Sequence, residues 1–170
     1  MSGIVSYAVS QIGKRVGDGE CVRLVEEALT QAGKKTTTDF GVVGNHADYV
    51  WGRSIKIEVA LPGDIIQFRN HVMTVTVRRN SGGMTETTYR RPHHTAILTN
   101  KGWREDSKTP PRQYWELSIL EQNQANRRYV IKSTLQLQNS WTLLPNNDEV
   151  EVYVSGTYFI YRPVDKVVAN

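Results

Sequence analysis

Apolar residues recur at three- and four-residue spacing over residues 19–32: Val22, Val25, Leu29 and Ala32, with Leu24 and Ala28 beside them. That stripe predicts an amphipathic helix. Asp18 or Gly19 is placed to cap its start, and Gly33 to close it. Ile4, Tyr7, Ala8, Gln11 and Ile12 share the spacing and predict a shorter helix ahead of it. Gly13, Gly17 and Gly19 separate the two. The pattern then changes. Residues 36–44 are polar and turn-rich, and Asp48-Tyr49-Val50-Trp51-Gly52 leads to the turn Leu61-Pro62-Gly63-Asp64. Ile65-Ile66-Gln67-Phe68 reads as a buried strand. Residues 72–79 alternate, with Val72, Thr74 and Thr76 against Met73, Val75 and Val77. Asn80-Ser81-Gly82-Gly83 is a turn, and residues 84–89 return as its hairpin partner. Residues 94–99 form a short apolar strand and 101–112 a polar loop. Residues 115–122, 129–138 and 151–161 read as further strands. Helices followed by antiparallel strands predict an α+β domain.

Composition narrows this. At 170 residues the chain is the size of one domain, and 39% hydrophobic residues suffice for a core. No apolar run reaches the roughly 18 residues of a membrane span. The first residues lack a basic segment followed by a long apolar run, so no secretory signal is expected; the compartment is left open. One cysteine excludes an internal disulfide and a cysteine-rich zinc site, and four scattered histidines give no metal-ligand spacing. Neither metal nor cofactor is expected. The net charge of +4 has an address: residues 69–91 hold Arg69, Arg78, Arg79, Arg90 and Arg91 against one acid, Glu86. The simplest reading is a solvated hairpin. No nucleic-acid motif accompanies the charge, so no nucleic-acid partner is expected.

Four positions offer chemistry. Cys21 sits in the first turn of the second predicted helix, where unpaired amides and the macrodipole favour thiolate. The same amides can receive a developing oxyanion. His94 opens its strand and can serve as a base for a thiol brought up by the helix. Alternation turns the adjacent His93 to the other side. Glu121 and Asn123 end the next strand two residues apart, and either can orient an imidazole.

Gly19-Glu20-Cys21, Leu61-Pro62-Gly63-Asp64 before a strand, His94-Thr95-Ala96-Ile97-Leu98 and Leu120-Glu121-Gln122-Asn123 together resemble the CHAP domain, the cysteine, histidine-dependent amidohydrolase/peptidase. CHAP belongs to the papain-like group that includes NlpC-type cell-wall peptidases. The resemblance runs from about residue 6 to 161. It implies a papain-like fold with N-terminal helices packed on a central antiparallel sheet, in a single domain spanning 1–170. It implies Cys21 as nucleophile, His94 as general base, and Glu121 orienting the imidazole with Asn123 assisting or substituting. The implied substrate is a peptide or amide, with bacterial cell-wall (peptidoglycan) peptides as the first guess. Tyr7 and Gln11 are candidates for a second oxyanion donor. The chain departs from the family at Glu20, where glutamine is usual, and in the hairpin inserted at about 69–91. A carboxylate at Glu20 is expected to oppose thiolate formation.

The alternative on the same fold is a non-catalytic peptide- or glycan-binding domain, with Glu20 marking a decayed site. A lipid-directed thiol acyltransferase typically places histidine before cysteine, the reverse of the order here. A nucleic-acid binder would rest on the arginines alone and predicts steep salt dependence.

Overall fold

The computed structural model of the chain describes residues 3–41, 44 and 47–167; positions 42 and 43 of the turn-rich stretch lie outside them. Helices α1 (Gly3–Ser10) and α2 (Cys21–Gln31) come first. Among the described residues seven strands follow: β1 (Arg53–Ile55), β2 (Ile65–Arg78), β3 (Met84–Glu105), β4 (Gln113–Glu121), β5 (Ile131–Gln136), β6 (Ser140–Leu143) and β7 (Glu149–Arg162). They form one antiparallel sheet in the order β1-β7-β2-β3-β4-β5. β6 pairs with the start of β7 and β1 with its end.

Period-two alternation sorts the central strands onto two cores. Ile65, Ile97, Leu120 and Tyr161 meet Val5, Leu24, Val25 and Leu29 of the helices. Their neighbours Ile66, Ala96, Leu98, Ile119 and Ile160 join a second core with Phe68, Leu117, Leu135 and Val152. Both faces of these strands are covered, so they read as continuous apolar runs rather than alternating ones. Each buried aliphatic contributes about 1.5–3 kcal/mol. Residues 137–139 join β5 to β6 and tie distant strands together. Leu137 N–H donates to the Trp115 carbonyl at 3.1 Å, and Val154 N–H to Asn139 Oδ1 at 2.7 Å. The sheet therefore curls around the second core.

Several boundaries differ from the sequence reading. β3 runs unbroken through residues 101–105, which read as loop because their side chains are largely polar or exposed there. Their register on β4, from Lys101↔Leu117 to Glu105↔Gln113, keeps them in the ladder. Segments 84–89 and 94–99 are one strand. It passes Pro92 opposite a bulge at Asn70 (φ 50°), in a stretch that β4 does not reach. A missing N–H is tolerated at such a place. β1 and β6 are too short to show a period.

The Pro-Gly-Asp turn is a structural clamp. Asp64 accepts the Leu61 N–H at 2.7 Å and holds Arg162 through Nε at 3.1 Å and Nη2 at 2.9 Å. This ties the entry of β2 to the end of β7. The basic hairpin is less free than its charge implies. Arg69 pairs with Asp48 at 2.8 Å, Arg78 with Glu151 at 3.0 Å, and Arg91 with Glu121 at 2.7 Å.

Candidate active site

The turn before α2 is built to present Cys21. Gly19 sits at φ +88°, and a Cβ there would come within 2.9 Å of the Arg128 side chain, so glycine is required on both counts. Glu20, not Asp18 or Gly19, is the N-cap residue. Its backbone is extended and its side chain does not cap the helix. Asp18 instead accepts the Glu20 N–H at 3.0 Å. The Cys21 and Val22 amides thus have no side-chain cap, and Cys21 stands partly exposed at this helix start.

His94 is buried at the mouth of the second core, 5% exposed, with its Nε2 2.9 Å from Glu121 Oε2. The Cys21 thiol lies close enough to the imidazole for each to shift the other's titration. Burial opposes charge on this imidazole, but hydrogen bonds to Cys21 and Glu121, and their charges, win and raise its pKa to about 9. Burial likewise pushes the Cys21 thiol up. The hydrogen bond and charge of His94, with the Thr95 backbone, outweigh it, and the net direction is down. Both shifts favour a thiolate–imidazolium pair. His93 faces elsewhere, as alternation predicts. Its Nε2 lies 2.7 Å from the Ala47 carbonyl oxygen and its ring packs on Tyr49.

Glu121 is fully buried, which taken alone would keep it protonated. Hydrogen bonds from His94 and Arg91 hold it well below the usual carboxylate range. Arg91 supplies two of them, Nε to Oε2 at 2.9 Å and Nη2 to Oε1 at 2.7 Å. Its hairpin reads as solvated from sequence, yet Arg91 is 1% exposed. Its pairing with the end of β4 is a long-range contact that no local pattern announces.

The two residues after Glu121 hold the cysteine turn. Gln122 accepts the Val16 N–H at 2.7 Å and donates to the carbonyls of Val16 at 3.0 Å and Glu20 at 2.9 Å. Asn123 does not orient the histidine. The strand has ended, its φ is +62°, and its amide donates to Glu20 Oε2 at 2.7 Å. Arg128 pairs with the other Glu20 oxygen at 3.0 Å. Glu20 is thus neutralised by its own partners, which offsets the penalty its charge would impose on a thiolate.

A family model described as the AIM3/BBC1 cysteine proteinase-fold domain matches residues 2–170. The chain belongs to this family. No curated protein matches it, and no solved structure does. The papain-like class expected from the CHAP resemblance is thereby established at the level of a cysteine proteinase fold.

Two further expectations for the AIM3/BBC1 domain are corrected by its hydrogen bonds. Tyr7 donates its hydroxyl to Glu27 Oε2 at 2.7 Å. Gln11 donates to Ser10 Oγ at 2.9 Å. Both side chains are engaged by these partners. Beside Cys21 an open groove of about 600 Å³ is lined by Val22, Glu26, Thr37, Thr38 and Tyr49 among others. Burial raises the Tyr49 pKa, and so does the nearby Cys21 charge. Trp51 underlies Tyr49 and donates to Gln67 Oε1 at 3.2 Å.

Proposed function

We propose that this AIM3/BBC1 domain hydrolyses an amide bond through a thiolate–imidazolium pair on Cys21 and His94. The observation that carries the reading is the hydrogen-bonded chain from Arg91 through Glu121 to His94, whose imidazole is electrostatically coupled to Cys21, a partly exposed residue at a helix start. The Cys21 thiolate attacks the carbonyl carbon, a C–S bond forms, and the carbonyl electron pair moves to oxygen. Amides at the start of α2 stabilise that oxyanion. His94 gives its proton to the departing nitrogen, and the C–N bond breaks. A thioester and neutral imidazole remain. His94 then takes a proton from water, the hydroxide displaces the thiolate, and a carboxylic product leaves. Glu121 fixes the imidazole and supports its charge, while Arg91 keeps Glu121 ionised. Both are positioning residues.

The groove lined by Val22, Thr37 and Tyr49 is where the substrate would lie. A peptide or acyl amide fits this chemistry. Cell-wall peptides, the usual substrates of CHAP relatives, and small γ-glutamyl or acyl-amino compounds form the panel to test. The measurement is release of free amine by wild type, Cys21→Ala and His94→Ala. Turnover by wild type alone supports hydrolysis. Turnover that survives Cys21→Ala overturns it. Binding without wild-type turnover points to the non-catalytic binding domain instead.

A further inference from the structure

A second pocket, of about 580 Å³, shares one residue with the site but contains neither Cys21 nor His94. Its lining includes Arg91, Arg127, Lys132, Tyr89, Tyr129 and Ser133, and no aspartate or glutamate. Arg91 gives Nε and Nη2 to Glu121, and its buried Nη1 has no hydrogen-bond partner among the described residues. Arg127 and Lys132 are exposed, and neither enters an ion pair among the described residues. Arg128, beside the cysteine turn, is by contrast matched by Glu20. Arg127 and Lys132 thus bring two unmatched positive charges to this pocket.

We propose that this pocket binds a phosphate group, free or as the end of a small phosphomonoester, with Arg91 as its inner wall and Arg127 and Lys132 as its counter-charges. Charge counting favours phosphate over carboxylate. A phosphate carries roughly −1.5 to −2 at neutral pH and three strong acceptor oxygens. That balances Arg127 and Lys132 together, whereas one carboxylate leaves a cation unmet. Charge-assisted hydrogen bonds to guanidinium and ammonium are the strong ones. The Ser133 hydroxyl and the phenols of Tyr89 and Tyr129 add neutral donors. The volume is in the range of small-molecule sites, about 300–1,000 Å³. The two tyrosine rings and Ile12 offer apolar surface to an organic group.

The test is calorimetric titration at low ionic strength with inorganic phosphate and, separately, with phenyl phosphate. Sodium chloride at matched ionic strength is the control. Saturable binding is expected, weakened about tenfold or more in Arg127→Ala/Lys132→Ala. Both residues are exposed, so that variant should keep its fold, which circular dichroism checks. Cys21→Ala should bind as wild type does, so this result is independent of whether the domain hydrolyses amides. Tighter binding of phenyl phosphate identifies a monoester as the source. Equal or weaker binding identifies phosphate itself. No saturation by about 10 mM, a heat reproduced by chloride, or undiminished binding in the double variant would overturn the site.

Discussion

The β2–β3 hairpin carries arginines at its root and at its tip, and the two ends treat them differently. At the root, Arg91 is 1% exposed and bonded twice to Glu121. Its guanidinium also lies 5.7 Å from the Phe68 ring. At the tip, Arg78 meets Glu151 at 3.0 Å with both side chains about half exposed. Water and salt screen the tip pair, whereas the root pair interacts at low effective dielectric. The root also separates two histidines. His71 is 1% exposed; burial and then the Arg91 charge lower its pKa to about 4. His94 is likewise buried but bonded to Glu121 and influenced by Cys21, and its pKa goes up. Burial disfavours charge on both. The partner decides which histidine carries a proton.

The largest effect should come from breaking the root pair. Arg91→Met leaves Glu121 buried without its cation, and chemical denaturation should show a loss of about 3–5 kcal/mol. Arg91→Met/Glu121→Leu should recover part of that loss, because no buried charge is then left alone. The double variant should still lose any turnover, since His94 has no carboxylate. A single Arg91→Met loss below about 1 kcal/mol would place the root in the same class as the tip.

His71 gives the next effect, and its sign is fixed. The unfolded chain takes up a proton near 6.5, the folded chain only near 4. Between those values the unfolded state holds more protons, so stability falls as pH is lowered through the window. The full contribution is about 3 kcal/mol at about 1.36 kcal/mol per pKa unit. Comparing wild type with His71→Leu from pH 7 to 4 isolates it. The variant should lose less stability across that range, and parallel curves would contradict the buried, neutral histidine. Arg78→Ala at the tip should change stability by no more than about 1 kcal/mol, and less at high salt.

What the sequence made legible follows from the range of the forces involved. α2 and the central strands could be read because apolar spacing is local, and Cys21, His94 and Glu121 because each sits at the start or end of such an element. The arginine at the root could not be separated from those at the tip. Arg78 and Arg91 share a charged hairpin, and what sets Arg91 apart is its long-range pairing with Glu121 at the end of β4. Alternation does not hold at Asn123, because β4 ends at Glu121 and Asn123 lies in a turn with positive φ. The contacts of Gln122 with Val16 and Glu20 span more than a hundred residues, and no spacing rule reaches that far.

The account rests on a thiolate held by His94 at the start of α2. The pH dependence of Cys21 alkylation by iodoacetamide, in wild type and His94→Ala, tests it directly, since Cys21 is the chain's single thiol. Wild type should react as a thiolate well below the ordinary thiol range near 8.5, and His94→Ala should move the titration back upward. A wild-type thiol that titrates at its ordinary value, or one indifferent to the loss of His94, would contradict the pair.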